Sequence, residues 1–351
     1  MGFVGNDTGL SGVEFYLNQL QTEHRINPGK VEDLIKVGDS IPGPDGRHLV
    51  LTLDLKIQQQ LDQYVDDYLK DDAAISMGVL AIEAATGAIV GYAQAPSFDP
   101  NRFHTYPESV FSDVFNQQVA VPSFLKLLLR EISLLESQSG GTLPWSIVAE
   151  KRKLGVQLQL WEKLGIARPE KYDFISTAAV KPESTAFDKT GTGNRDFETV
   201  PVMLTPLQML TALARSVSGG EKTVLHASDR YVVRRNQAEY LLEDLKPDQG
   251  KLTFQNGVAA EIEQLLSAVG KKDQLNSEII AGKSSSFRHQ SGSKTFIRHH
   301  ISFAVIPMPE PELILMAVSS RPGYDVPGRD DDKSMTEISR LIVPVAARQK
   351  V

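Results

Sequence analysis

Val121-Pro122-Ser123-Phe124-Leu125-Lys126-Leu127-Leu128-Leu129 is the stretch around which the rest of the chain is ordered. It reads as a Ser-x-x-Lys at the head of an apolar helix. One helical turn takes about 3.6 residues, so Lys126 lies near Ser123 on one face. Pro122 stands where a missing N–H costs nothing, and the helix N-terminus carries partial positive charge. Apolar residues follow on nearly every side, through Ile132, Leu134 and Leu135, which predicts a buried helix. Burial lowers the pKa of a lysine by penalising its charged form. A neutral amine beside a hydroxyl can take its proton and make the serine a nucleophile. The same four residues also suit a lysine that snorkels its ammonium to water. Ser-x-x-Lys alone arises by chance in most chains of this length.

Composition narrows the classes. The 351 residues suffice for one large domain with an appendage, or for two domains. With 41% hydrophobic and 23% charged residues the chain reads as an ordinary globular protein. A net charge of −7, from 37 basic and 44 acidic residues, argues against nucleic acid as a partner. There is no apolar run approaching transmembrane length and no signal peptide before Met1-Gly2-Phe3-Val4-Gly5. The chain has no cysteine, which excludes disulfides, thiolate metal sites and a cysteine nucleophile. That fits an envelope protein and also a cytosolic one. The seven histidines include no His-x-x-x-His pair, and His299-His300 would point to opposite sides of a strand. No metal or other cofactor is expected.

Patterning then orders the elements. Residues 1–47 read as the end of a preceding non-catalytic region, with one helical piece near Gly12 to Glu23. His48 to Leu55 alternates as a strand, and Lys56 to Asp71 has Ile57, Leu61, Tyr64, Val65 and Tyr68 at helical spacing. Met77 to Ala84 and Ala88 to Ala95 form a hairpin about Thr86-Gly87. Pro96 to Asn101 ends the sheet. Helices are expected over 123–137, about 145–164, 205–218 and 255–270, with a short strand pair within Thr223 to Arg235. Strands return at Glu278 to Gly282, Arg298 to Pro307 and Glu312 to Ser320, and a last helix covers Ser334 to Arg348. An early hairpin and three late strands thus bracket a helical middle. The expected fold is α+β: one antiparallel sheet flanked by helices, with an inserted helical subdomain. The sheet part is 48–100 and 277–351, and the helical subdomain about 101–276.

Several motifs in this order resemble the transpeptidase domain of class B penicillin-binding proteins, relatives of the serine β-lactamases. They are Leu51-Thr52-Leu53-Asp54 with Ile57-Gln58, Ala84-Ala85-Thr86-Gly87, and Ala95-Pro96-Ser97-Phe98-Asp99-Pro100-Asn101. Ser123 to Lys126, Leu204-Thr205-Pro206-Leu207-Gln208-Met209-Leu210, Ser218-Gly219-Gly220, Ala281-Gly282-Lys283 and Ile301-Ser302-Phe303-Ala304 follow. Gly2-Phe3-Val4-Gly5 and Gly9-Leu10-Ser11-Gly12-Val13-Glu14 resemble the family's junction between N-terminal region and catalytic domain, with the transpeptidase-like domain over 48–351.

The resemblance implies acyl-serine chemistry on peptidoglycan stem peptides and acylation by β-lactam antibiotics. Ser123 would attack the carbonyl of a D-Ala-D-Ala bond and Lys126 would take its proton. The backbone N–H of Ser123, with one from the strand after Lys283, would hold the oxyanion; one such donor is worth about 3–4 kcal/mol. Lys283 would add positive charge near the substrate carboxylate. Two of the family's three motifs depart from its pattern. Lys283-Ser284-Ser285-Ser286 has Ser285 where the family has glycine, and a side chain there obstructs close approach of a substrate. Lys189-Thr190-Gly191 matches the third motif in letters, but it precedes Thr205-Pro206-Leu207-Gln208 and sits among loop residues. For the second motif the candidate is Ser146-Ile147-Val148, whose Val148 cannot hydrogen-bond a substrate amide. The expected substrate-binding residues are therefore Ser146, Ser284, Ser285 and Ser286.

Two readings follow: an active D,D-transpeptidase or carboxypeptidase with divergent motifs, or a relative without turnover that serves as a scaffold with proteins of cell-wall synthesis or division. A third, β-lactam sensing or hydrolysis, lacks a water-activating glutamate motif. The resemblance implies a periplasmic, extracytoplasmic domain held to the inner membrane by an N-terminal helix that this sequence does not include. Trp145 and Trp161 read as packing residues. Asp330-Asp331-Asp332-Lys333 and Lys151-Arg152-Lys153 read as solvated faces, and Arg288 and His289 are candidates to line the cleft.

Overall fold

The architecture is taken from a computed structural model of the chain. The structure describes residues 4–5, 8–10, 12–16, 47–71, 74–121, 125, 164, 172–174, 203–218, 223–235, 238–248, 285–291, 295–306 and 312–322. The first two strands, β1 (Val4–Gly5) and β2 (Thr8–Gly9), pair with each other, and residues 12–16 are helical. Next come β3 (Arg47–Leu51) and helix α1 (Leu55–Asp71). The strand is shorter than its alternation suggests because Asp54 starts the helix: its Oδ1 accepts the N–H groups of Lys56 and Ile57 at 2.7 and 3.1 Å.

The expected hairpin is present as β4 (Ser76–Glu83) and β5 (Ile89–Ala95). Gly87 makes its turn possible. Its φ is +78°, and a Cβ there would stand 2.5 Å from the Val224 carbonyl oxygen. Beyond it, two 3-10 segments (Pro100–Thr105 and Glu108–Phe111) lead to β6 (Val119–Ala120), which pairs with β7 (Met203–Leu204). Helix α2 (Pro206–Val217) follows, then β8 (Ser228–Arg235), β9 (Ala238–Asp244), β10 (Ser285–Ser291), β11 (Thr295–Ile306) and β12 (Leu313–Pro322).

One five-stranded antiparallel sheet has the order β10-β11-β12-β4-β5. The early hairpin joins the late strands through the β12–β4 ladder, as the bracketing pattern predicts. Its middle strands are buried on both faces. Behind it lies α1, whose Ile57, Leu61, Val65 and Tyr68 meet Met77, Val79, Ala93 and Leu315. Gly91 lets the helix lie this close, since a Cβ there would approach Leu61 Cδ1 to 2.7 Å. In front lies α2, almost wholly buried, with Leu207 and Leu210 against the face that carries Leu80, Ile301, Phe303 and Met316. Each such side chain contributes about 1.5–3 kcal/mol by burial. This is the helix–sheet–helix layering of an α+β fold.

Three features differ from the sequence reading. The strand at residues 47–51 does not enter the main sheet; it forms a second, three-stranded sheet of order β3-β8-β9. The short pair expected within Thr223 to Arg235 is a single strand, β8, and its partner β9 lies further on. Ala-Glu-Tyr-Leu-Leu-Glu-Asp carries too many charges to look like a strand, and Tyr240 and Leu241 are indeed exposed. The strand expected at Glu278 to Gly282 lies outside the described residues, whereas β10 begins at Ser285. Its polar sequence suits a sheet edge. The helices expected over 145–164, 255–270 and 334–348 also fall outside the described residues, apart from Leu164, as do Trp145, Trp161, Lys151 to Lys153, Lys189 to Gly191 and Asp330 to Lys333.

The two sheets are stitched together at the β5 edge. Thr52 donates its N–H to Ala227 at 2.8 Å and its hydroxyl to Ile89 at 2.6 Å. Ile89 N–H reaches the His226 carbonyl at 2.8 Å. Both carboxylate oxygens of Asp173 accept backbone N–H groups, from Ala227 and Ser228, at 2.8 and 2.7 Å.

Candidate active site

The motif of interest begins just after β6. Val119 and Val121 are buried in the front core, and β6 is held by β7 in the register Val119 to Leu204 and Ala120 to Met203. Ser123 and Lys126 themselves lie outside the described residues. Leu125, between them, is helical, buried and part of the front core.

The anchor of this region is the start of α2. Thr205 Oγ1 accepts the Gln208 N–H at 3.2 Å, and Gln208 Oε1 accepts the Thr205 N–H at 2.9 Å. This reciprocal cap, with Pro206 at the first helical position, is the physical content of Leu204-Thr205-Pro206-Leu207-Gln208. It fixes β7, and β7 fixes β6. Further along α2, the buried Arg215 donates to the backbone carbonyls of Leu164 and Thr223, tying the helix to chain segments on either side. Sequence reasoning missed Arg215, because an arginine in a helix gives no signal of burial.

Facing β6 is the edge of the five-stranded sheet. β6 lies against β10, the strand that starts two positions after Lys283. Lys283 and Ser284 are outside the described residues, and so is Ser146. Ser285 opens β10 opposite Ile301, and Ser286 stands opposite His300. Successive positions of a strand alternate between faces. Position 285 therefore shares the front face with Ile301, which packs in the front core, while position 286 belongs to the back. Arg288 and His289 are within β10, paired with Arg298 and Ile297. On the front face of the neighbouring strands, buried His299 holds Ser320 through Nδ1···Oγ at 2.9 Å. The structure thus brings β6, which ends three residues before Ser123, against β10, which begins two residues after Lys283.

Solved structures share this fold. The chain superposes on penicillin-binding protein 3 from Mycobacterium tuberculosis with a TM-score of 0.71, over 99% of this chain and 87% of that one, at 14% identity. The fold is that of the penicillin-binding protein transpeptidases. The same TM-score and identity hold for that protein complexed with ampicillin, of which 86% is covered. A peptidoglycan synthetase from Bifidobacterium adolescentis matches at a TM-score of 0.63 and 11% identity, over 88% of this chain and 63% of that chain. No protein-family model matches the sequence, and no curated protein is detectably similar to it. Among the described residues, no helix is long and apolar enough to cross a membrane.

Proposed function

We propose that this chain is an acyl-serine D,D-transpeptidase domain that acts on peptidoglycan stem peptides and is acylated by β-lactams. The observation that carries the reading is the placement of β6, which runs into Ser123, against β10, which follows directly from Lys283. Ser123 Oγ attacks the carbonyl of the penultimate D-alanine while Lys126 takes its proton. The C–N bond breaks, the proton passes to the departing D-alanine amine, and an ester remains on Ser123. An acceptor amine, or water in the carboxypeptidase reaction, then releases the acyl group. A β-lactam opens by the same attack with nothing leaving, and a penicillin-binding protein of this fold has been seen with ampicillin. Lys283 and Ser284 are assigned to the substrate carboxylate side, and Ser146 to the opposite wall. The domain works on the extracytoplasmic face, beside other proteins of wall synthesis or division.

A second reading is favoured by Ser285, which stands on the front face where the family has glycine, and by Val148 in the second motif. In it the chain is a scaffold without turnover. Release of D-alanine from a pentapeptide ending in D-Ala-D-Ala separates the two. Release by the wild-type chain and not by Ser123→Ala supports the enzyme; equal background release from both supports the scaffold.

A further inference from the structure

A cavity of about 570 Å³ opens at the other end of the sheet, against β5. That strand and β10 are the two edges, separated by four strand spacings, or about 19 Å. The cavity is of the size that holds a small molecule. Its apolar walls include the rings of Phe98, Phe111 and Phe174. Phe98 and Phe111 meet edge to face at 4.9 Å, and Tyr92 meets Phe174 at 6.1 Å.

The charged groups that the described residues bring to this wall are acidic. Asp62 and Asp113 both line the cavity, and no lysine, arginine or histidine among the described residues does so. Asp113 accepts the Phe115 N–H at 2.8 Å, which holds the carboxylate in place but brings no charge to balance it. Tyr92, also in the lining, turns its buried hydroxyl to the Asp113 carboxylate, a neutral partner that leaves the charge of Asp113 unbalanced. The Tyr92 backbone is fully engaged. Gln58 donates to its carbonyl at 2.7 Å and accepts its N–H at 2.9 Å, so the edge strand is rigid at this point. Burial holds the Asp113 carboxyl above its ordinary value, and burial and then Asp113 push the Tyr92 phenol well up. A positive charge arriving beside the Asp113 carboxylate offsets the cost of burying its charged form.

We infer that this cavity is a binding site for a small organic cation, an amine or amidine on an apolar body. Its charged head meets Asp113 and the Tyr92 hydroxyl, and its body lies among Phe98, Phe111 and Phe174. Aromatic faces attract cations, and the carboxylate supplies the countercharge. The site lies at the β5 edge, across the sheet from β10, and does not depend on acylation at Ser123.

Benzamidinium titrated into the full chain by calorimetry, with benzamide as its neutral counterpart, tests this. Benzamidinium is expected to saturate at one site with a dissociation constant of about 0.1–1 mM. Benzamide is expected to show no saturable binding. Asp113→Asn weakens benzamidinium at least about tenfold, and Tyr92→Phe, which keeps the ring and so the packing, weakens it several-fold. Fluorescent penicillin labelling is the same in both variants as in the unaltered chain. Equal binding of benzamide, unchanged affinity in Tyr92→Phe, absence of saturation, or loss of binding after reaction with penicillin would each overturn the inference. If Asp113→Asn does not fold, the benzamide and Tyr92→Phe arms decide alone.

Discussion

Ser285 stands directly across the β10–β11 ladder from Ile301, and Ile301 is buried in the front core. Position 285 is thus on the face that looks toward the helical layer, where the penicillin-binding proteins that the sequence resembles carry glycine. Ser285→Gly gives the backbone room to approach an acylating ligand. It is expected to raise the rate of labelling by fluorescent penicillin about tenfold, a change of about 1.4 kcal/mol in the barrier. An unchanged or slower rate would mean that Ser285 does not limit access.

Gly87 holds the hairpin turn with φ of +78° and no space beside the Val224 carbonyl. Gly87→Ala introduces both left-handed strain and a backbone clash. It should lower stability by about 2–3 kcal/mol in chemical denaturation, with little effect at the distant β10 edge.

The reciprocal cap at Thr205 and Gln208 is buried on both sides. Thr205→Ala leaves the Gln208 N–H without its acceptor and is expected to cost about 1–2 kcal/mol. Adding Gln208→Ala should cost less than the sum of the two single changes, because the two side chains act as one unit. Full additivity in the double-mutant cycle would contradict the reciprocal cap.

Asp113 carries a pH signature. Burial raises its folded value, so between about pH 4 and that value the folded chain keeps a proton that the unfolded chain has lost. Its contribution therefore turns against folding as pH rises through that window and is constant above it. Asp62 is raised for the same reason and slopes the same way. The stability difference between Asp113→Asn and the unaltered chain isolates Asp113. It should move in favour of the variant from about pH 3.5 upward and then level off. A difference that does not vary with pH would contradict the buried carboxyl.

Local chemistry made some elements readable. Thr86-Gly87 between apolar runs, Asp54 before a helical stripe, and Thr205-Pro206 with Gln208 each state their own structure within a few residues. The late strands β11 and β12 are apolar enough to declare themselves. The second sheet was not readable, because β3, β8 and β9 owe their pairing to the stitching of Thr52, Ala227 and Ile89 rather than to any local pattern. β10 was hidden by its polarity, which an edge tolerates. At the site, the order of motifs carried the fold, while the placement of β6 against β10 is a long-range contact that no spacing in the sequence encodes. The cavity at β5 was equally hidden: Tyr92, Asp113 and Phe174 are far apart in the chain, and nothing in their neighbours marks them.

The central claim is that Ser123 is an acylatable nucleophile activated by Lys126. Intact-mass measurement of the folded chain after incubation with a fluorescent penicillin, followed by peptide mapping, tests it most directly. The account predicts one adduct per chain, located on the peptide that contains Ser123 and absent from Ser123→Ala. A folded chain whose mass stays unmodified, or an adduct that persists in Ser123→Ala, would contradict it.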